Sequence, residues 1–241
     1  MNKSQSKNPK HGIRRFLSRF KHFLFLRRYL FKYLLPLNPV SREFGYERGT
    51  PLDRYYIDHF FEKHRDSIRG DVLEVGDSTY TDRFSAQVKS TAILHYEKEV
   101  SGYATIVGDM EHPETLPRDR FDCFICPQTF HFIYELDIGV KSAYQVLKKG
   151  GVLLATFPCI SQGSVGKQES WKEYWRFQEA SLIRGFSSVF GKSSVEVTTY
   201  GNVLVAASFL YGFSWEEIPK THLDYIDPAY PFLITVKAVK G

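Results

Sequence analysis

From residue 71 onward, short apolar runs alternate with stretches in which apolar residues recur every three or four positions. The runs at 71–75, 92–96, 105–107, 123–126, 152–157, 195–199 and 232–239 predict strands, because they are short, rich in Val, Ile and Phe, and bounded by turn residues. Between them the spacing Ile138, Val140, Ala143, Tyr144, Leu147 predicts a helix over 138–147, which Lys148, Lys149, Gly150 and Gly151 would stop and turn into the next strand. A second helix is expected over 53–64. Strands that alternate with helices imply an α/β protein with a mostly parallel sheet of seven strands, covered by helices on both faces.

The amino-terminal region reads differently. Ile13, Phe16, Leu17, Phe20, Phe23, Leu24, Phe31, Leu34 and Leu35 fall on one face of a helix, with Arg14, Arg15, Lys21 and Lys32 off it. Arg27, Arg28 and Lys32 interrupt the roughly 20 uncharged residues that a membrane span requires. The expectation is a basic amphipathic arm over 1–40, ended by Pro36 and Pro39, that lies on an anionic membrane surface rather than crossing the membrane. Docking on the main domain and binding of a partner protein are the competing uses of such a pattern. The stretch 197–215 is also uncharged for much of its length. Only 203–213 is continuously apolar, so a buried core helix is expected there and not a span.

Charge sharpens this division. Residues 1–42 hold eleven Lys or Arg and no Asp or Glu, so the remainder carries 21 of the 32 basic residues against 27 acidic ones. A globular part of net charge −6 argues against nucleic-acid binding, which needs basic surface on the fold itself. Domain 41–241 is long enough for one full core. Three cysteines do not make a disulfide framework, and no small-residue cleavage site follows the first apolar stretch, so a reducing cytoplasmic setting at the inner membrane face is expected. Cys123 and Cys126 lie three apart on a predicted strand. They point to opposite faces and cannot share a metal without a bend, and no clustered His and carboxylate set suggests a metal elsewhere.

In a sheet of this kind, ligands bind beyond the carboxyl ends of the strands, at the first strand–turn–helix unit. That unit reads Asp71-Val-Leu-Glu-Val-Gly-Asp-Ser-Thr-Tyr80. An acidic residue, Glu97, follows 21 positions after Gly76 at the end of the second predicted strand, which suits a ribose whose hydroxyls need a carboxylate acceptor. Ser78 and Tyr80 stand where a dinucleotide site would place its second and third glycines, so a pyrophosphate cradle is not expected.

Five motifs in order carry a resemblance: Val72-Leu-Glu-Val-Gly76, Glu97, Asp109-Met110, Phe121-Asp-Cys-Phe-Ile-Cys-Pro-Gln-Thr-Phe130 and Leu147-Lys-Lys-Gly-Gly-Val-Leu-Leu154. Over about 42–241 the chain resembles a class I methyltransferase that uses S-adenosylmethionine, with the Rossmann-like sheet of that family. The resemblance implies that Glu74, Gly76, Asp77, Ser78 and Tyr80 shape the methionine end of the cofactor site, that Glu97 holds the ribose and Asp109 and Met110 the adenine, and that Pro127 and Gln128 border the sulfonium. Tyr80 departs from the family's third glycine, and Lys149 from a usual proline. The flanks 41–56, 171–177, 200–202 and 224–228 look like methyltransferases found beside glycosyltransferases in bacterial surface-polysaccharide systems. That likeness implies a carbohydrate or lipid-linked glycan as substrate and a glycosyltransferase as partner. A soluble small-molecule acceptor and a non-catalytic assembly role are the rival readings.

Methyl transfer needs an acceptor oxygen held in line and gains from a general base, without a covalent nucleophile. His131, just after the Pro127-Gln128 turn, is the candidate base; packing among Phe130, Phe132 and Tyr134 is the competing reading. Tyr174, Trp175 and Arg176, with Trp171 before them, lie in a long excursion after the fifth strand and are the candidate acceptor-binding residues, since amphipathic rings and a guanidinium suit a sugar. Arg48 and Arg54 could meet an anionic group or form surface ion pairs, and Asp224 and His222 are further candidates.

Overall fold

The computed structural model describes residues 36–85, 87–96, 105–163 and 172–241. The chain divides into a unit at 1–39 and a unit at 40–241. Residues 1–35 of the arm expected over 1–40 lie outside the described residues, as do Glu97 and Trp171.

The second unit is a seven-stranded sheet in the order β3-β2-β1-β4-β5-β7-β6, with β1 Arg69–Val75, β2 Gln87–His95, β3 Ile106–Val107, β4 Phe121–Pro127, β5 Leu147–Pro158, β6 Val195–Tyr200 and β7 Leu233–Val239. The first five strands are parallel, and β7 runs antiparallel to both β5 and β6. Alternation along the buried strands divides the interior into two cores. Leu73, Phe124, Cys126 and Leu153 face α3 Leu136–Val146 and α4 Glu179–Phe190, where Phe130, Phe157 and Phe186 join them. Val72, Cys123, Ile125 and Leu154 face the other way, toward Phe60 and Phe61 of α1 Leu52–Lys63 and Phe209 of α5 Val203–Leu210. Cys123 and Cys126 thus enter opposite cores, as their spacing requires. The short α2 Thr79–Phe84 follows β1, and α6 Lys220–Leu223 precedes β7.

Three local expectations need correction. β2 begins at Gln87 rather than 92: Gln87 and the half-buried Val88 already pair with Arg69 and Gly70, and the exposed Gln87, Lys89 and Ser90 leave only one apolar residue to mark the strand before Ala92. The two glycines after α3 do not separate helix from strand. The helix ends at Val146, Leu147 is already paired with Phe121, and Val152 pairs with Cys123, so residues 148–151 form a bulge inside β5 with Gly150 at φ +78°. Finally, α5 is not a core helix. It buries Val205, Ser208 and Phe209 but exposes Val203, Leu204, Ala207 and Leu210. Asn202 caps it by accepting from the Leu204 and Val205 N–H groups at 3.0 and 3.1 Å, while its amide donates to the His222 and Tyr225 carbonyls. Among the described residues no helix is long and apolar enough to cross a membrane.

Candidate active site

The strand order reverses around β1 and β4, and the carboxyl ends of β1, β2 and β4 open there into a cavity of about 440 Å³, within the roughly 300–1,000 Å³ range of small-ligand sites. Gly76 closes β1 at φ +90°, a conformation that side chains rarely adopt. A Cβ built on it would meet nothing within 4 Å, so the backbone there borders open space. Of the residues expected at the cofactor, Gly76, Asp109, Met110, Pro127 and Gln128 line this cavity, with Tyr96, His95 and Tyr174 beside them. Asp109 sits half-exposed at a turn that its own carboxylate holds, accepting from the Glu111 N–H at 2.8 Å and facing the His112 ring at 3.1 Å.

Glu74, Asp77, Ser78 and Tyr80 do not line it. The Glu74 carboxylate is wholly buried and spent on the start of α2: one oxygen accepts from the Tyr80 N–H at 2.9 Å, the other from the Thr81 N–H at 2.8 Å and the Thr81 hydroxyl at 2.6 Å. Burial outweighs these bonds and pushes its pKa up to about 7. Glu74 is therefore a positioning residue that fixes the turn bearing Gly76. Asp77 accepts from the Thr79 N–H and Ser78 donates to Asp82, both within the same turn. Tyr80, in place of a glycine, turns its ring into the core against Phe61 and Phe84, with its hydroxyl accepting from Arg54 at 2.9 Å.

A second cavity, of about 370 Å³, adjoins the first. Gln128 and Phe132 line both. Gln128 has φ +46°, an uncommon value for a residue other than glycine, and its N–H donates to the carbonyl and hydroxyl oxygens of the buried Thr156, each at 3.1 Å. The second cavity joins the rings of Phe44, Tyr46 and Phe209 to the polar groups of Asp53, Arg54, His131 and Glu173. His131 is nearly inaccessible, with Nε2 3.6 Å from Glu173 Oε1, and Glu173 Oε2 accepts from Arg176 at 2.7 Å. Burial and the Arg176 charge lower the His131 pKa to about 4 against the pull of Glu173, so the ring is neutral at neutral pH. Asp53, in the first turn of α1, is pushed above the ordinary carboxyl range by burial in spite of the adjacent Arg54.

His131 lines the second cavity while its ring packs against Phe132, so packing and cavity lining coexist. The expected acceptor residues divide. Tyr174 reaches the first cavity, but Trp175 and Arg176 line neither. Trp175 spends its Nε1–H on the Ile133 carbonyl at 2.9 Å and stacks on Tyr134; Arg176 is committed to Glu173 and the Gln162 carbonyl. Arg48 pairs with Glu217, and Asp224 binds Lys220 and Tyr55, all away from both cavities. Asp53 and Glu173 were missed. Their signals were a carboxylate in the first turn of a helix, and a Glu three residues before an Arg.

Residues 72–155 match the family described as a methyltransferase domain. Over that stretch the chain is similar to a methyltransferase domain, and S-adenosylmethionine is the cofactor this similarity supports. The match runs from within β1 into β5 and so includes the ends of β1, β2 and β4 that open into the first cavity. A protein assigned as an S-adenosylmethionine-dependent methyltransferase from Listeria monocytogenes superposes with a TM-score of 0.51 at 12% identity, over 79% of this chain and 99% of that one. An S-adenosylmethionine-dependent methyltransferase from Mesorhizobium loti gives 0.50 at 11% identity, over 78% and 100%. At these identities the likeness is one of fold. No curated protein matches the chain. The lining fits that cofactor: a glycine bordering open space ends β1, and the Asp109 turn and Tyr96, the chain neighbour of Glu97, line the same cavity.

Proposed function

We propose that the protein moves a methyl group from S-adenosylmethionine to a hydroxyl of a carbohydrate, on a surface glycan or lipid-linked saccharide at the cytoplasmic membrane face. The observation that carries this reading is the common wall of Gln128 and Phe132, which sets an acceptor cavity directly against the cofactor cavity. Methyl transfer is an in-line displacement whose main demand is positioning, and two adjoining cavities meet that demand. Bound S-adenosylmethionine supplies an electrophilic methyl on sulfur. The chain supplies the rest: Gly76 and the turn held by Glu74 for the methionine end, Glu97 for the ribose, Asp109 and Met110 for the adenine. Aromatic rings beside carboxylates, as in the acceptor cavity, suit the apolar faces and hydroxyls of a pyranose.

The membrane placement has its own support. Val203, Leu204, Ala207 and Leu210 form an exposed and uncharged face of α5, and the Val40 N–H, where residues 1–39 join the domain, donates to the Tyr211 carbonyl at 2.8 Å just beyond that helix. A glycosyltransferase remains the proposed partner, because it would supply the glycan.

Calorimetry with S-adenosylmethionine and its demethylated product, followed by incubation of the methyl-labelled cofactor with a lipid-linked saccharide extract, tests the reading. Binding of both ligands is expected, with Glu97→Ala weakening it by about 1.5–3 kcal/mol, the range for hydrogen bonds to charged groups. Label should appear as an O-methyl sugar by mass spectrometry. Absence of heat with either ligand at millimolar concentration overturns the enzyme reading, and label confined to water-soluble non-carbohydrate products overturns the acceptor.

A further inference from the structure

Two buried side-chain polar atoms among the described residues have no hydrogen-bond partner, Asp53 Oδ1 and His131 Nδ1. Buried polar groups are almost always satisfied, so each such exception asks for an explanation. Both residues line the acceptor cavity, although 78 positions separate them in the chain. Coincidence in one cavity points to a ligand that completes them.

The chemistry of that ligand follows from the surroundings. Nε2 of His131 faces the Glu173 carboxylate, which Arg176 holds from its other side, an arrangement that favours the ring proton on Nε2 and a lone pair on Nδ1. Asp53 Oδ1 is likewise an acceptor. The ligand must therefore bring donors to two separate points. Ammonium and hydroxyl groups both donate, but among the described residues the cavity has no surplus of negative charge for an ammonium: the Arg54 guanidinium adjoins Asp53, and Arg176 is paired to Glu173. Tyr46 and Tyr80 hold Arg54 through their hydroxyls. Neutral donors remain.

We propose that the acceptor is a neutral polyol that donates one hydroxyl to Asp53 Oδ1 and its reacting hydroxyl to His131 Nδ1, with Glu173 and Arg176 fixing the tautomer that leaves Nδ1 free to accept. This rests on the methyl-transfer reading above. The oxygen of the reacting hydroxyl bonds to the methyl carbon, the carbon–sulfur bond breaks with its electron pair left on sulfur, and the hydroxyl proton passes to Nδ1. The imidazolium so formed faces Glu173, which offsets its charge. Asp53 takes no part in the proton transfer and selects the acceptor by its second hydroxyl. The depressed His131 pKa keeps Nδ1 unprotonated at neutral pH and supports the assignment.

Two readouts on the full chain test it. The first is nitrogen NMR of protein labelled in its histidine rings: at pH 7 His131 should show a protonated Nε2 and a bare Nδ1, and it should stay neutral down to about pH 5. Glu173→Gln removes the charge that favours the imidazolium, so titration should move to still lower pH and the Nε2–H preference should weaken. A His131 that carries its proton on Nδ1, or titrates in the ordinary range, overturns the base assignment without touching cofactor binding. The second readout is calorimetric binding to protein saturated with the demethylated cofactor, using the methyl pyranosides of mannose, glucose, galactose and rhamnose, myo-inositol, and ethanolamine as probes. At least one polyol should bind and ethanolamine should not. Asp53→Ala should weaken that polyol at least tenfold, Asp53→Asn should recover part of the loss, and affinity for the demethylated cofactor should be unchanged in both. Failure of every polyol, preference for ethanolamine, or an Asp53→Ala variant that binds like the wild type overturns the polyol assignment. Failure of the demethylated cofactor to bind would instead overturn the methyl-transfer reading, and the ring-nitrogen result would stand apart from it.

Discussion

Replacing Glu74 with Gln separates two opposing contributions of one buried carboxylate. The side chain is fully buried and takes three hydrogen bonds from Tyr80 and Thr81. An amide retains one acceptor oxygen and presents an N–H₂ group where the other stood, so one donor of α2 loses its partner, at a cost of about 1–3 kcal/mol. Against that loss stands the cost of burying the charge. The folded pKa is raised to about 7 from 4.5 by desolvation. A raised folded pKa means that the contribution is fully present below the unfolded value and is lost as pH climbs through the folded one. From pH 5 to pH 8 the wild type should give up about 2.5 kcal/mol through this group, from a total shift of roughly 2.5 units at 1.36 kcal/mol each. The Gln variant gives up nothing here. Urea denaturation followed by tryptophan fluorescence at pH 5, 6, 7 and 8 should therefore show the variant less stable at pH 5 and close to the wild type, or above it, at pH 8. Because all other titrating groups are common to both proteins, the difference isolates Glu74. A stability difference that is flat across this range, or that widens with pH, would refute the reasoning. The cofactor supplies an independent check, since loosening the turn should weaken S-adenosylmethionine binding at every pH.

Two other outcomes follow from the geometry. Gly76→Ala forces a side chain to φ +90° and projects a methyl into the cofactor cavity; a loss of about 1–2 kcal/mol in stability and a weaker calorimetric affinity for S-adenosylmethionine are expected, and unchanged affinity would move the cofactor away from Gly76. Deleting residues 1–36 should abolish sedimentation with anionic vesicles and leave cofactor affinity intact, and salt should weaken the full-length interaction; equal sedimentation of both forms would show that the arm does not anchor the protein.

How much of this was legible in the sequence depended on whether a residue acts through its neighbours in the chain or through the fold. Apolar runs such as Val72 to Val75 and Cys123 to Cys126 announced their strands because both faces of the sheet are buried. The paired half of β2 and the bulge at Gly150 left no such mark, since backbone pairing needs no apolar side chain and a Gly-Gly pair reads equally as a turn or as an irregularity within a strand. The apolar sequence of α5 misled for a related reason: hydropathy cannot tell a core helix from one whose outer face is left open. In the site, Gly76, Asp109, Met110, Pro127 and Gln128 were found because strand ends place them together by a rule of the fold. Asp53 and Glu173 were not, because their role exists only where α1 and the segment after β5 meet at one cavity. Trp175 and Arg176 have the right chemistry for a sugar, but their polar groups are spent on Ile133 and Glu173.

Tyr80 gives the departure from the family's glycine pattern a physical sense. The third glycine of such a turn serves close packing of helix against strand. Here the Tyr80 N–H keeps the turn in place through Glu74, so the backbone function survives without the glycine. The side chain is then free to work on the opposite side. Its ring fills the space between Phe61 and Phe84, and its hydroxyl holds Arg54, the cation that adjoins Asp53 at the edge of the acceptor cavity. One residue therefore ties the turn that shapes the cofactor cavity to the wall of the acceptor cavity. A glycine at this position would leave Arg54 without that partner and Phe61 without one of its neighbouring rings, so the residue that weakens the sequence match is one that holds the wall of the second cavity.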